Sequence, residues 1–463
     1  MSENKTIIEP GSINTISTVE KSGKRKWQYA FKPSGKLYNL RTVLSFFYLG
    51  IFFLLPFLKY KGMPMFQFNF PDRVFIIFGK IFLPQDYIIF GVAFLVALLF
   101  IIIFTLIFGR VFCGWICPQT IFLEMVFRKI EFWIEGPAHK QKIADKSKWT
   151  TQLWMKKILK HAIYLFISFL IANTFLSYII GVDELFKIIR EPVSQHIQGF
   201  LSIIFFTLVF YSVFAFVREI VCIVICPYGR LQSVLLDKNS VVVAYDYLRG
   251  EPRSKKREES KGDCIDCNMC VNVCPTGIDI RNGTQMECVN CTACIDACNM
   301  MMAKVNRPPD LIKFASENNI ATRQKTKFTT RMAIYSVVLL ALVGLLSFLI
   351  AKQKIFEAEV LRAGGVVLQE QPDGTITNLY RLKAVNKSRN TEPFLIKLQE
   401  QNAELIITGK KIDSLKAGQE IDEQFFIKRK KTDIKSRKEY FHLDIYQGQR
   451  VIDTKEVIFI GEY

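Results

Sequence analysis

Eight of the twelve cysteines fall into two runs of identical spacing, Cys264-Ile-Asp-Cys267-Asn-Met-Cys270-Val-Asn-Val-Cys274 and Cys288-Val-Asn-Cys291-Thr-Ala-Cys294-Ile-Asp-Ala-Cys298. Each run reads C-x2-C-x2-C-x3-C, the bacterial ferredoxin spacing for cubane 4Fe–4S clusters. The short gaps let one loop aim three thiolates at three corners of a cubane, and the fourth ligand must come from elsewhere. Zinc bound by four thiolates is the alternative, but such sites usually combine two separated C-x2-C pairs. The runs therefore predict an electron-transfer module.

The fourth cysteine of each run decides how the ligands are shared. In folds with paired clusters it crosses to the other cluster. We therefore predict one cluster on Cys264, Cys267, Cys270 and Cys298, and a second on Cys288, Cys291, Cys294 and Cys274.

The remaining four cysteines form two C-x3-C-P motifs, Cys113-Gly-Trp-Ile-Cys117-Pro118 and Cys222-Ile-Val-Ile-Cys226-Pro227. The spacing predicts that both thiols of a pair share one helical face, with a kink at the proline. Each motif follows a pair of apolar runs, so residues 40–118 and 158–227 resemble a tandem repeat. Buried cysteines often only pack helix junctions. Because the motif occurs twice, we interpret the four as candidate catalytic thiols, although thiolates suit Cu(I), zinc and iron–sulfur clusters alike.

Composition indicates a membrane protein of more than one domain. The chain has 463 residues, half of them hydrophobic, and a net charge of +19. Such a charge can indicate nucleic-acid binding. Here Lys and Arg mostly flank apolar runs and no nucleic-acid-binding module is recognisable, so we expect membrane lipid and no nucleic acid as partner.

Five apolar runs are candidates for membrane spans, at Val43–Leu58, Tyr87–Phe108, Ile158–Ile180, Gln198–Val217 and Met332–Ile350. A span needs about 20 apolar residues, so the first run is short. The apolar stretch Met63–Leu83 is interrupted by charged residues and proline, and we predict a re-entrant or interfacial loop there.

Loop charge predicts the orientation. The N-terminal tail, the loop at Arg128–Lys157 and the segment Arg218–Arg331 are rich in Lys and Arg, whereas Gly181–Gly199 is not. Positive loops stay in the cytoplasm, so we expect a cytoplasmic N-terminus and a C-terminus outside. All cysteines precede Asn299, which suits a cytoplasmic cluster module and a tail in an oxidising compartment.

After the fifth run the pattern becomes one of short strands. Alternating runs occur at Thr375–Lys387, Phe394–Leu398, Glu404–Thr408, Gln424–Lys428, Tyr440–Tyr446 and Val451–Ile460. Strands at this spacing favour an immunoglobulin-like sandwich without its disulfide.

The predicted fold is therefore a multi-domain membrane protein. It has an α-helical bundle of about five spans, an inserted α+β bacterial-type ferredoxin module with two 4Fe–4S clusters, and a C-terminal all-β immunoglobulin-like sandwich. The expected domains are a cytoplasmic basic tail (1–41), a four-span region with both C-x3-C-P motifs (42–235), the cytoplasmic ferredoxin domain with its linkers (236–331), the fifth span (332–351) and the periplasmic sandwich (352–463).

Longer sequence motifs carry a resemblance to a known family. They are Gly109-Arg-Val-Phe-Cys-Gly-Trp-Ile-Cys-Pro-Gln-Thr120, Cys226-Pro-Tyr-Gly-Arg-Leu-Gln-Ser233, Tyr245-Asp-Tyr-Leu-Arg-Gly-Glu-Pro-Arg253, Gly262-Asp-Cys-Ile-Asp-Cys-Asn-Met-Cys270 and Cys274-Pro-Thr-Gly-Ile-Asp-Ile-Arg281. Over nearly its whole length the chain resembles the cytochrome c oxidase accessory proteins called CcoG, FixG or RdxA. The resemblance implies a polyferredoxin of the bacterial inner membrane that reduces Cu(II) to Cu(I) for assembly of a cbb3-type oxidase. It also implies copper or redox ligation by the C-x3-C-P cysteines, and oxidase assembly proteins or a copper-transporting ATPase as partners.

Three functions remain open from the sequence. The first is a redox enzyme that delivers electrons from an unknown cytoplasmic donor to copper. The second is a quinol-linked electron-transfer subunit for another oxidoreductase. The third is a non-catalytic assembly scaffold, which leaves the eight cluster cysteines without a purpose. Copper or quinone bound to the purified protein would separate the first two.

Overall fold

The computed structural model describes residues 25–60, 62–71, 73–148, 150–254, 262–323, 330–353, 356–363, 368–388, 390–408 and 413–461. Residues 1–24 of the expected basic tail, and parts of the expected linkers at 255–261 and 324–329, lie outside this description. The chain divides into two compact units, of which the first comprises 1–55, 90–177 and 182–346, and the second 56–89, 178–181 and 347–463.

Five helices in the described residues are long and apolar enough to cross a membrane: Lys36–Phe57, Pro84–Phe108, Thr151–Ile180, Ile197–Val217 and Met332–Lys352. We call them the first to fifth spans. They confirm the expectation of about five spans, because each has at least the length of about 20 residues that a bilayer core requires. The first begins at Lys36 and is therefore not short, since polar Lys36 and Arg41 continue the helix ahead of the apolar run.

Shorter helices connect the spans within the first unit. Between the second and third spans they are Val111–Trp115, Pro118–Ile121, the π-helix Phe122–Phe127, Arg128–Ile134 and Ala138–Lys146. Helix Val182–Arg190 links the third and fourth spans. The fourth span ends in the π-helix Val213–Val217, which is followed by the π-helix Val221–Ile225 and by helix Pro227–Leu235.

The two cysteine runs lie in a small α+β module of the same unit. Strand Val242–Tyr245 pairs antiparallel with Ile312–Ala315, and Val242 lies opposite Ala315. The helices of the module are Tyr247–Gly250, Met269–Asn272, the 3-10 turn Ile280–Asn282, Ala293–Lys304 and Glu317–Thr322. Its core combines buried apolar side chains with the cysteines themselves, so folding of the module and placement of the thiols are coupled.

The second unit contains a β-sandwich, as the sequence predicts. One sheet has the strand order Ala403–Ile407, Glu420–Lys430, Thr375–Asn386, Phe356–Arg362, and the short strand Gln369–Glu370 also pairs with Thr375–Asn386. The other has the order Ser414–Leu415, Glu392–Leu398, Lys438–Gln447, Arg450–Ile460. One core joins the two sheets, and its fully buried rings include Tyr380, Phe425, Phe441 and Phe459. Alternation of buried and exposed residues along each strand gives the sheets one shared apolar interior.

The stretch Met63–Leu83 is not a span, as predicted, but it is a small sheet and not the predicted re-entrant or interfacial loop. It forms the short strand Met63–Pro64 and a three-stranded antiparallel sheet, Phe66–Asn69, Val74–Ile77 and Lys80–Phe82. Its apolar residues Ile76, Ile81 and Leu83 pack against Val385 of the sandwich. The physical reason is that strand pairing satisfies the backbone polar groups of the stretch, and Lys80, which interrupts the apolar run, begins a strand.

Candidate iron–sulfur and thiol site

Both cysteine runs use the same unusual backbone geometry. Asp266 and Asn268 in the first run have positive φ angles of 52° and 58°, and Asn290 and Thr292 in the second run have 53° and 64°. Left-handed backbone is uncommon for residues other than glycine, and for β-branched threonine it is an outlier. Such geometry persists where the surroundings impose it. The repetition at equivalent positions indicates two loops built for the same task.

The first cavity is lined by Cys264, Cys267, Cys270 and Cys298, with Tyr245, Arg281 and apolar residues completing the wall. These are the four thiols that the crossed assignment predicts for one cluster. Cys267 is exposed, whereas the other three are buried. Burial raises the pKa of Cys270 and of Cys298 to about 12, so iron must displace protons from these thiols when it binds.

The second cavity is lined by Cys274, Cys288, Cys291 and Cys294, and Cys270 contributes to its wall as well. Among the described residues no group of three or more Cys, His, Asp or Glu converges tightly enough for a single ion. A cubane does not require such convergence, because each thiolate binds a different iron atom. Four thiols around a mostly apolar space match the ligand set of a 4Fe–4S cluster in both cavities.

The C-x3-C-P motifs are not continuous helices, contrary to the prediction. Helix Val111–Trp115 ends before Cys117, whose φ and ψ of −56° and 123° are extended, and Pro118 starts a new helix. Cys226 repeats this geometry before Pro227. The physical reason is that a residue preceding proline avoids helical backbone, while proline is favoured at the first helical position. The thiols of each pair therefore come from two consecutive elements.

The two motifs contact each other reciprocally. Cys113 donates a hydrogen bond to Gln232 Oε1 at 3.0 Å, and Gln232 belongs to the helix that follows the second motif. In return, Cys222 Sγ lies 3.9 Å from Thr120 Oγ1, in the helix that follows the first motif. Burial, together with the neighbouring Cys117, raises the pKa of Cys113 to about 11 and that of Cys222 to about 12. The structure thus brings the four thiols of both motifs into one neighbourhood.

The first motif also lies directly against the second cysteine run. A Cβ atom at Gly114 would be 2.4 Å from the carbonyl oxygen of Val289, so only glycine permits this approach. Arg110, four residues before Gly114, donates a hydrogen bond to the carbonyl of Met286. The C-x3-C-P thiols are therefore packed beside the second cavity, with no intervening element between Gly114 and the loop that carries Cys288 and Cys291.

Charged residues that the sequence reasoning missed hold this arrangement. Arg218, with a left-handed φ of 55°, precedes the second motif and donates two hydrogen bonds to Glu131, at 2.9 and 3.0 Å. Burial alone would raise the pKa of Glu131, but the charge and hydrogen bonds of Arg218 lower it. Separately, the Asp296 carboxylate accepts from the backbone N–H of Tyr38 at 2.7 Å, which docks the first span on the ferredoxin module. Spacing within a sequence gives no signal for such long-range pairs.

Models of known families match three segments of the chain. A 4Fe–4S dicluster domain matches residues 217–317 and so includes both cysteine runs. A 4Fe–4S binding domain matches residues 90–137, which include Cys113 and Cys117. The IG-like fold at the C-terminus of FixG matches residues 346–462, under a description that names FixG as a candidate oxidoreductase.

Curated relatives match over most of the chain. The chain is 33% identical to protein RdxA of Cereibacter sphaeroides, over 75% of this chain and 76% of that protein. It is 29% identical to nitrogen fixation protein FixG of Rhizobium meliloti, over 78% and 77% of the respective lengths. Protein RdxB of Cereibacter sphaeroides is likewise 29% identical, over 82% of this chain and 83% of RdxB.

Proposed function

Because the chain belongs to the FixG/RdxA family of membrane iron–sulfur electron-transfer proteins, we propose that it reduces Cu(II) to Cu(I) for assembly of a cbb3-type cytochrome c oxidase. The observation that carries the proposal is the contact of Gly114 with Val289, which sets the C-x3-C-P thiols beside the second cavity. The match of residues 90–137 to a 4Fe–4S binding domain supports a redox role for this region over simple packing.

The cysteine residues have separate tasks in this proposal. Cys264, Cys267, Cys270 and Cys298 would hold one cluster, and Cys288, Cys291, Cys294 and Cys274 the other, as the linings of the two cavities support. When bound, the clusters supply one-electron carriers. Cys113, Cys117, Cys222 and Cys226 would bind the substrate copper, because thiolates favour the soft Cu(I) state over Cu(II). A one-electron donor in the cytoplasm provides the electron that each Cu(II) accepts.

The exposed Cys267 supports an entry side for electrons. The first cavity reaches the surface at this thiol, whereas the second adjoins the C-x3-C-P motifs through Gly114 and Arg110. Cys270 lines both cavities, so the two clusters would be neighbours. We therefore infer a path from the surface through the first and second cavities to the helical thiols.

Direct copper reduction tests the proposal. Purified protein with both clusters, reduced anaerobically with dithionite and freed of excess reductant, should convert added Cu(II) to Cu(I), up to about two equivalents per chain for two one-electron clusters. A Cu(I)-specific chelator that absorbs visible light measures the product, and bleaching of the cluster absorbance measures re-oxidation. Protein with re-oxidised clusters is the control. Cluster re-oxidation without Cu(I) formation would contradict the proposal.

Sidedness gives a second expected result. The loop charges favour a ferredoxin module in the cytoplasm and a sandwich in the periplasm of a bacterial inner membrane. Alkaline phosphatase, which is active only outside the cytoplasm, should be active when fused after Glu357 and inactive when fused after Gly262. Immunoblots must show equal amounts of both fusions. Activity after Gly262 would place the clusters on the wrong side.

A quinol-linked electron-transfer subunit is the second candidate, and a polar cavity of about 330 Å³ favours it. The cavity lies beside Phe216 at the end of the fourth span, and its wall includes Trp27, Tyr29, Glu131 and His161. His161 is the group of this wall that can accept a proton released by quinol oxidation, whereas Arg218 lowers the pKa of Glu131 and makes it a weak base. Reduction of both clusters by a short-chain quinol, with no Cu(I) formed from Cu(II), would select this function. A protein inert to both would act as a scaffold.

A further inference from the structure

Two arginines in the first unit are buried without an anionic partner. Arg41 in the first span and Arg110 after the second span are each 2% exposed. In both side chains Nε and Nη2 make no hydrogen bond. Neither arginine forms an ion pair with any residue that the structure describes. A buried charge is costly unless it is paired, so each guanidinium implies an anion nearby.

Of the two, Arg110 lies beside the second cavity. Its guanidinium donates a hydrogen bond to the carbonyl of Met286, two residues before Cys288. Four residues later, Gly114 lies against Val289, which forms part of the wall of the same cavity. Arg110 is therefore the buried, unpaired arginine that the geometry joins to this cavity.

The first cavity is surrounded differently. Its arginine, Arg281, is neutralised by Asp279 at 2.7 Å and by Asp266 at 2.6 Å. Arg249 near Cys298 is likewise paired, with Asp263 at 2.6 Å. The positive charges at the first cavity are therefore compensated by carboxylates of the chain, whereas Arg110 forms no ion pair with any described residue.

We propose that Arg110 is a counter-charge of the second iron–sulfur cluster and raises its reduction potential above that of the first. The inference rests on the cluster assignment of the proposed function. A 4Fe–4S cluster held by four thiolates is an anion and becomes more negative on reduction, so unpaired positive charge stabilises the reduced form. The potential difference directs electrons from the cavity at exposed Cys267 to the cavity beside the C-x3-C-P thiols.

Arg110 also lies against the C-x3-C-P site. A Cβ atom at Gly229, just after the second motif, would be 2.8 Å from Arg110 Nη2. The charge of Arg110 also acts on Cys113 in the first motif. The guanidinium thus stands between the second cavity and the first thiol of the C-x3-C-P site. An electron leaving the second cluster for copper at that site passes the same positive charge.

Redox titration followed by electron paramagnetic resonance tests the proposal in the purified full-length protein without copper. Arg110→Gln should lower the potential of the second cluster by at least about 59 mV, a tenfold change in the one-electron equilibrium. The first cluster should keep its potential. Arg110→Lys should keep most of the wild-type potential, and Arg230→Gln, at an exposed arginine near the second motif, should change neither potential.

Each outcome bears on the proposal. Wild-type potentials in Arg110→Gln, or equal shifts of both clusters, would overturn it. If Arg110→Gln loses the second cluster while Arg110→Lys keeps it, by iron content, the counter-charge role is supported. If both variants lose it, Arg110 serves packing and the proposal is wrong. Because no copper is present, failure of copper reduction leaves these readings unaffected.

Discussion

Replacing Cys267 and Cys298 together by alanine is expected to leave one cluster in the protein, whereas replacing Cys267 and Cys274 together should leave none. The first pair belongs to a single predicted cluster, so the second change removes nothing more. The second pair has one member in each cavity. Iron should therefore fall from about eight atoms per chain to about four in the first variant and to near zero in the second.

The expectation depends on which thiols face which cavity. Cys298 lines the cavity of Cys264 and Cys267, although it ends the other run. Cys274 lines the cavity of the second run in the same crossed manner. Because the last cysteine of each run lines the cavity of the other run, the two loops are held together. Both cavities therefore share the core of one small module.

Iron and acid-labile sulfide in anaerobically purified protein measure the result. The single variants Cys267→Ala and Cys291→Ala provide matched references, because each removes a cluster whose assignment does not depend on crossing. The visible and paramagnetic spectra of Cys298→Ala should match those of Cys267→Ala. If the Cys267/Cys274 variant instead retains about four iron atoms and the Cys267/Cys298 variant retains none, each run serves its own cluster and the crossed assignment is wrong.

Apolar runs predict the five spans and six of the sandwich strands. The spans come from runs that must satisfy their backbone internally in lipid, and length with apolar composition identifies them. In the sandwich, the predicted runs Tyr440–Tyr446 and Val451–Ile460 correspond to strands Lys438–Gln447 and Arg450–Ile460. Strand Phe356–Arg362 is not among the predicted runs, although Phe356 and Ala358 alternate with Glu357 and Glu359.

The errors have local physical causes. The stretch Met63–Leu83 has the composition of an interfacial loop. Its apolar side chains pack against Val385, more than 300 positions away, and the sequence gives no signal for that contact. At the C-x3-C-P motifs a spacing of four residues indicates one helical face. The effect of proline on the preceding residue outweighs that indication, and Cys117 becomes extended.

The charges that position the site could not be predicted, since each is paired across the fold. Arg218 and Glu131 are 87 residues apart in sequence, and Tyr38 and Asp296 are 258 apart. Arg110 lies in a motif that the sequence identifies, Gly109–Thr120. Its proposed role depends on the finding that no described carboxylate pairs with it, which only the structure shows. Cysteine spacing therefore identifies the redox chemistry, whereas the electrostatics that direct it appear only in three dimensions.

Changing Cys113 and Cys117 together to serine is expected to slow copper reduction at least about tenfold, equivalent to about 1.4 kcal/mol in the barrier, while both clusters remain. Serine keeps the size of the side chain but removes the soft ligand that favours Cu(I). The competing account is that these thiols only pack the motif junction and that electrons pass from the clusters to copper directly. Cys113 is buried against Gln232, as a packing role also requires, so only function separates the two.

The variant is compared with Ile116→Ser, which places the same polar group between the two cysteines and keeps both thiols. Iron content and cluster spectra must equal those of the wild type in both proteins before rates are compared. Cu(I) formation is then followed with the chelator, and copper retained after desalting is counted. Loss of both rate and bound copper in the double variant alone supports the thiols as the copper site. If the double variant keeps its clusters and reduces Cu(II) at the wild-type rate, then the C-x3-C-P cysteines are structural and copper takes its electron elsewhere on the protein.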